Sequence, residues 1–122
     1  MTILYLAIGG ALGTIARHYA AERVGAWTES GAVGILAVNV VGSFLIGLFL
    51  ALGEGRFDWS FHVRILVATG FLGGFTTFST LTWQTREFLD LRDFAAASAY
   101  LASSVILGMA AVYAGAAAAR AA

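Results

Sequence analysis

The chain has 122 residues, of which 60% are hydrophobic and 11% are charged. A soluble domain carries roughly 25% charged residues, so the composition excludes an ordinary water-soluble protein and indicates one that lies in a membrane. Seven arginines balance seven acidic residues, and lysine and cysteine are absent, which leaves no basic surface for nucleic acid, no disulfide and no thiolate metal site.

Four apolar stretches follow one another along the chain, each about as long as the roughly 20 residues that a helix needs to cross a bilayer core. They cover about residues 2–20, 32–53, 63–88 and 94–119. We therefore predict an all-α membrane protein whose chain forms one four-helix transmembrane domain. A secretory signal is the alternative for the first stretch, although no basic segment precedes it and three further stretches follow.

Short connectors hold most of the charged residues, and the first is expected around Glu22, Arg23 and Glu29. Four spans place both termini and the second connector on one side of the membrane. The arginines then divide almost evenly between the termini side and the opposite side: Arg56, Arg64 and Arg120 against Arg17, Arg23, Arg86 and Arg92. The positive-inside rule gives no preference, so the sequence predicts insertion in both orientations and an antiparallel homodimer. A fixed topology set by other factors is the alternative.

Small residues recur at four-residue spacing, in the pairs Gly9 with Gly13 and Gly70 with Gly74. Such pairs let helix backbones approach closely inside a membrane. Generic small-residue packing, without any special site, explains the same pattern.

The segment from Gly70 to Thr80 is a poor helix for the centre of a span, since paired glycines and adjacent threonines favour unwinding. Carbonyl groups freed in hydrocarbon are costly unless protein, water or an ion satisfies them. Where two antiparallel copies cross at such a break, carbonyl oxygens converge on the two-fold axis and suit a small hard cation such as sodium. The alternative is a tolerated kink, stabilised by the hydroxyls of Thr76 and Thr77.

The polar groups inside the spans are neutral, because no Asp, Glu or Lys lies in the middle of any of them. Hydroxyl and amide groups can donate to an anion, and the edges of aromatic rings can also face one. Asn39 is the strongest single candidate, and it serves equally well as a contact between helices or as a pore-lining group. Most of the hydroxyls have an ordinary explanation in bonds to their own helix.

Three motifs together resemble the CrcB/Fluc fluoride channel family. They are residues 9–13 (GGALG) followed by Arg17, residues 38–44 (VNVVGSF) and residues 70–80 (GFLGGFTTFST). The resemblance covers nearly the whole chain in order and length, and the third motif is the specific one. It implies a dual-topology dimer in the cell (inner) membrane, with two antiparallel pores and a central structural sodium ion, that exports fluoride passively.

The resemblance also implies roles for single residues. Gly73 and Thr76 would supply the carbonyl groups that bind sodium, and Arg17 would lie in a vestibule and raise the local anion concentration. Phe78 would be the first ring of a phenylalanine box, and Tyr100 and Ser104 would belong to a polar track. With the residues around the break, the predicted pore lining is Asn39, Phe75, Phe78, Ser79, Thr80, Tyr100 and Ser104.

The chain departs from the family pattern at Leu81, Ile35, Gly108 and Gln84, where the family has a second box phenylalanine, a threonine, a second track serine and a glutamate. These departures favour a second reading, in which the chain is one subunit of a heterodimeric fluoride channel. A dual-topology small multidrug transporter is the other alternative, but that chemistry needs an acid inside the first span, and the first acid here is Glu22. A non-transporting assembly subunit would leave the broken helix without a purpose. No nucleophile, base or metal cluster at catalytic spacing is present, so we do not predict an enzyme.

Overall fold

The computed structural model describes residues 1–122, and they are almost entirely helical. The elements in chain order are α1 (Thr2–Thr28), α2 (Gly31–Gly55), α3 (Phe61–Arg64), a π-helical segment (Ile65–Leu72), α4 (Gly73–Phe75), α5 (Ser79–Asp90) and α6 (Phe94–Ala121). The run from α3 to α5 is one span with an interruption, so the architecture is four long rods, one of which is broken.

Side chains at the connectors begin three of these helices. The hydroxyl of Ser30 accepts a hydrogen bond from the N–H of Val33 at 3.2 Å, and Asp93 accepts one from Ala96 at 3.1 Å. Ser60 does the same for α3. Each bond satisfies one of the N–H groups that a helix start leaves without a partner.

Three of the rods are long and apolar enough to cross a membrane: Gly31–Gly55, Phe61–Asp90 and Phe94–Ala121. The first rod, α1, does not meet this standard, and it carries Arg17, His18, Glu22 and Arg23 in its second half. Its role as a fourth span stays a prediction.

The helix α1 continues well past the predicted end of the first span at Ala20. Glu22 and Arg23, expected in a connector, are therefore helical. Charged side chains end an apolar stretch without ending a helix, because both residues are good helix formers. The helix stops where Glu29 adopts a left-handed conformation, with φ of 58°, and its N–H donates to the carbonyl of Gly25.

The third span is interrupted close to its middle, where the sequence predicts unwinding. The chain first widens into the π-helical segment, then makes one short turn in α4, and is extended at Thr76 with φ of −96° and ψ of 157°. A regular helix resumes at Ser79. A π-helical segment beside a break is a common feature of functional sites in helices.

Glycines let the rods touch backbone to backbone. A methyl group added to Gly9 or Gly13 would collide with the backbone of Leu66 or Phe71, and one added to Gly74 would lie 2.6 Å from the carbonyl oxygen of Gly10. The four glycines predicted from their spacing thus pack α1 against the broken span. This close approach holds the break next to α1.

The buried core is small and lies next to the break. It consists of Ile35, Val38 and Phe75, with the alanines of α1 and Phe71 packed around it. Only 17 of 122 residues are buried, and large apolar side chains such as Ile106 and Tyr113 cover the outside. An apolar exterior is what a chain surrounded by lipid or by a second membrane protein requires.

Candidate functional site

The side-chain amide of Asn39, on α2, binds the backbone at the break in the third span. Its Nδ2 donates to the carbonyl oxygen of Thr77 at 3.0 Å, and its Oδ1 accepts from the N–H of Thr77 at 2.8 Å. One side chain thereby satisfies both backbone groups of a residue that belongs to no helix. Asn39 therefore links α2 to the broken span, and its role as a pore-lining group stays a prediction.

The same contact leaves the carbonyl of Gly73 without its usual partner. In a continuous helix the N–H of Thr77 would donate to the carbonyl four residues earlier, which is that of Gly73. That N–H donates to Asn39 instead, and Gly73 lies exposed on the surface of the chain. The break therefore presents a carbonyl oxygen that another group can use.

Arg17 holds the break from the other side. Its guanidinium Nη1 donates to the carbonyl oxygen of Thr76 at 3.2 Å in a half-buried position. Arg17 on α1 and Asn39 on α2 thus bind the backbone of two consecutive residues, Thr76 and Thr77. The hydroxyl of Thr76 donates to the carbonyl of Leu72 at 2.9 Å, which strengthens the last turn before the break.

Hydroxyl groups surround the start of α5. The hydroxyl of Thr77 accepts from the N–H of Thr80 at 3.3 Å and donates to the hydroxyl of Thr80 at 3.2 Å. Ser79 lies 3.4 Å from the same oxygen. Thr77 therefore begins α5 with its side chain while Asn39 holds its backbone.

A cavity of about 370 Å³ lies beside the break, and we call it the break cavity. It is open on one side, where the ring of Phe78 is 76% exposed. Its lining residues are Asn39, Gly42, Ser43, Ile46, Ala68, Leu72, Gly73, Thr76, Thr77, Phe78, Leu81, Ser104 and Val105. The lining contains no charged side chain, so the polar groups that it offers are hydroxyls, one amide and backbone.

A second cavity, of about 620 Å³, lies between the second half of α1, the start of α2 and α5, and we call it the Arg17 cavity. Its lining includes Arg17, His18, Glu22 and Gln84. His18 and Glu22 lie 3.8 Å apart and are largely exposed. Because the guanidinium of Arg17 also reaches Thr76, this residue connects the Arg17 cavity to the break.

The predicted site residues fall into three groups: those that line the break cavity, the one that lines the Arg17 cavity, and those that line neither cavity. Asn39, Phe78 and Ser104 line the break cavity, as do the predicted cation ligands Gly73 and Thr76. Arg17 lines the other cavity.

The remaining predicted residues do not line the break cavity. Phe75 is buried in the core and stacks on Phe71 with ring centres 5.9 Å apart. Ser79 and Thr80 lie at the start of α5. Tyr100 is buried against α5, where its hydroxyl donates to Oε1 of Gln84.

Each departure from the family pattern has a definite place. Leu81 lines the break cavity and Ile35 is part of the core. Gln84 accepts from Tyr100 and borders the Arg17 cavity. Gly108 faces the side chain of Ser43, whose oxygen would lie 3.6 Å from a methyl group added there.

Ser43 and Thr77 are not among the predicted pore-lining residues, yet both line the break cavity. Thr77 was identifiable as part of a segment prone to unwinding, but no local pattern predicts that Asn39, 38 positions away, takes its backbone groups. Ser43 lies four residues after Asn39, on the same face of α2. That spacing was the one available signal.

The groups at the break that could contact a cation are backbone carbonyls. The structure contains no group of three or more His, Cys, Asp or Glu residues that could hold a metal ion. The freed carbonyl of Gly73 is a hard oxygen ligand of the kind that sodium prefers, and one chain offers too few of them for a complete shell.

Comparison with known proteins gives a consistent result along the chain. A family model described as "CrcB-like protein, Camphor Resistance (CrcB)" matches residues 4–116. A relative from Rhizobium johnstonii is 44% identical, over 97% of this chain and 95% of its own length, and one from Roseiflexus is 43% identical over 98% of both. A third, from Rhizobium leguminosarum, is 45% identical over 97% and 95%. All three are named fluoride-specific ion channels, FluC. A family model that matches nearly the whole chain, with relatives that match it end to end, shows that the chain belongs to the CrcB-like protein family.

Proposed function

We propose that this chain is a fluoride-selective channel that lets fluoride leave the cell passively and so lowers cytoplasmic fluoride. The relatives that match it end to end carry that function in their names. The family is one of membrane channels and not of enzymes, and three apolar spans make the chain a multi-pass membrane protein. The observation that carries the proposal is the break at Thr76, held by Asn39 and Arg17 beside an uncharged polar cavity.

The chemistry of the break cavity suits a small, strongly hydrated anion. Permeation requires donors that replace lost water at several weak positions rather than at one tight site. The lining carries hydroxyl and amide groups, which are the kinds of donor that this requires, and it has no carboxylate that would repel an anion. Phe78 presents its ring at the mouth of the cavity, where the positive ring edge can face an anion.

The Arg17 cavity supplies the entrance. A guanidinium in a partly enclosed cavity attracts anions and raises their local concentration. The negative charge of Glu22 faces His18 at the edge of the same cavity. Fluoride enters past Arg17 and reaches the break that this residue holds.

A second copy in antiparallel orientation completes the structure. The break cavity is open toward the outside of the chain, and Gly73 and Phe78 are exposed there. A polar cavity that opens into lipid is unfavourable, whereas a second protein surface would cover it. The balanced arginines allow both orientations, so the two copies come from one gene.

The chain's own residues fit a sodium ion on the dimer axis. Gly73 offers a free carbonyl oxygen, and the carbonyl oxygen of Thr76 has a second lone pair beside the one used by Arg17. A sodium ion bound there neutralises converging carbonyl dipoles and locks the two copies together. Asn39 prepares this site, because it takes the N–H that would otherwise occupy the Gly73 carbonyl.

Two other functions remain as alternatives. The chain can be one subunit of a heterodimeric fluoride channel, which Leu81 at the break cavity favours because it stands where the family has a second phenylalanine. A proton-coupled multidrug transporter is disfavoured, because Glu22 lies exposed beside His18 rather than inside a span.

Fluoride efflux from liposomes that contain only this purified chain tests the proposal. Efflux is read with a fluoride electrode after a potassium ionophore is added, and chloride-loaded vesicles are the control. We expect rapid efflux of fluoride and none of chloride. Equal efflux of both anions would refute the proposed selectivity. No efflux from a folded dimer would refute the homodimeric channel and favour the heterodimeric alternative.

A further inference from the structure

Five side chains with hydrogen-bonding groups line the break cavity: Asn39, Ser43, Thr76, Thr77 and Ser104. Three of their hydroxyls are already committed as donors. Thr76 donates to Leu72, Thr77 donates to Thr80, and Ser104 donates to the carbonyl of Tyr100 at 2.7 Å. The amide of Asn39 donates one N–H to Thr77 and accepts from Thr77 with its oxygen, and it keeps a second N–H.

Ser43 is the exception, because its hydroxyl makes no hydrogen bond to any protein group. A serine inside a helix commonly donates to the carbonyl four residues earlier, as Ser104 does, but Ser43 does not. No fully buried side-chain oxygen in the chain lacks a partner, so the oxygen of Ser43 must have open surface. That surface lies in the break cavity.

The position opposite Ser43 is kept empty. Gly108 on α6 has no side chain, and the oxygen of Ser43 is the only atom that an added methyl group there would meet within 4 Å, at 3.6 Å. The hydroxyl of Ser43 therefore faces Gly108 across a space that would accept a methyl group. It has both the room and the free donor that an anion needs.

We propose that Ser43 is a further anion-coordinating residue, whose hydroxyl donates to fluoride as it passes the break. This inference rests on the proposed channel function and adds a residue to the same path. Ser43 on α2 then provides the donor that Gly108 on α6 cannot provide. A single uncommitted hydroxyl fits an anion that is held weakly and released.

The test compares variants in the liposome efflux assay, each first shown to form the same oligomer as the native chain. We expect Ser43→Ala to lower the fluoride flux about tenfold, the loss expected for one hydrogen bond to an ion. Ser103→Ala is the matched control, since Ser103 is also half-buried but does not line the cavity. Its flux should equal that of the native chain.

A second substitution separates donation from packing. A Cβ added at Gly108 makes only an ordinary contact with Ser43, so we expect the double variant Ser43→Ala/Gly108→Ser to place a hydroxyl on the opposite wall and to regain most of the flux. If the native chain conducts and Ser43→Ala conducts equally fast, the role of Ser43 is refuted while the channel function stands. If the double variant does not regain fluoride flux, Ser43 acts through packing, and the proposed anion contact is refuted. A silent native chain instead refutes the channel function.

A thiol gives a readout that does not depend on Ser43→Ala folding well. The native chain has no cysteine, so Ser43→Cys carries the only thiol at nearly the same size. We expect methyl methanethiosulfonate, a small neutral reagent, to suppress its flux and to leave Ser103→Cys unchanged. Insensitivity of Ser43→Cys in a conducting sample would place residue 43 outside the path.

Discussion

The contact between Asn39 and Thr77 gives the sharpest prediction, because one substitution removes two hydrogen bonds to backbone. Asn39→Ala leaves the N–H and the carbonyl of Thr77 without the partners that they have at 2.8 and 3.0 Å. An unsatisfied buried group costs about 1–3 kcal/mol. Thr77 is half-buried beside a cavity, so water recovers part of this loss, and we expect the opening of the break to become easier by about 3 kcal/mol.

Amide hydrogen exchange measures this change directly, since the N–H of Thr77 is itself the donor. A loss of about 3 kcal/mol raises the exchange rate of that amide about a hundredfold. Thr85→Ala is the control: its buried hydroxyl donates to the carbonyl of Leu81 at 2.8 Å, within a regular helix, and its removal frees no backbone group. Exchange at Thr77 that is equally slow in Asn39→Ala and in the native chain would show that Asn39 does not hold the break.

Two further predictions concern the packing and the charge of the site. Gly13→Ala should destabilise the fold by about 1–3 kcal/mol, because the added methyl group would collide with the backbone of Phe71 and lie 3.0 Å from the nitrogen of Phe75. Thermal unfolding followed by circular dichroism measures this loss of stability. The control is Gly55→Ala, whose methyl group meets nothing within 4 Å and which should unfold at the same temperature as the native chain. Arg17→Gln keeps an N–H donor at this position, on a shorter side chain, but removes the positive charge that Arg17 gives to the Arg17 cavity. Fluoride flux through the native chain should therefore fall as an impermeant salt is added, because salt screens that charge, while flux through Arg17→Gln starts lower and stays constant. Parallel salt curves for the two proteins would contradict the entrance role of Arg17.

The long helices and the interruption of the third span could be predicted from the sequence. An apolar stretch with glycines at four-residue spacing leaves few structures other than closely packed helices, and Gly9, Gly13, Gly70 and Gly74 pack in that way. The adjacent threonines Thr76 and Thr77 lie outside any helix, as their weak helix propensity predicts, whereas the paired glycines Gly73 and Gly74 are helical in α4. These features depend on local chemistry, which sequence displays.

The end of α1 and the assignment of Phe75 required three-dimensional contacts. Glu22 and Arg23 mark where apolar sequence ends, but a helix ends only where its backbone turns, here at Glu29. Phe75 and Phe78 are equivalent beside the break in sequence, yet one packs in the core and the other lies exposed at the cavity. Which direction a ring takes near a break depends on backbone angles that no periodic pattern specifies.

The backbone groups around the break support the proposed second copy. Asn39 satisfies both groups of Thr77, Arg17 satisfies the carbonyl of Thr76, and the hydroxyl of Thr77 satisfies the N–H of Thr80. The carbonyl of Gly73 loses its helical partner in this exchange and lies at the exposed side of the same cavity. An isolated chain in lipid would leave that group unpaired, at a cost that membranes seldom tolerate. The residues that stabilise the break thus create the polar oxygen that a second chain, with an ion between the two, would satisfy, so the stability of the fold and the assembly of the proposed channel depend on the same contacts.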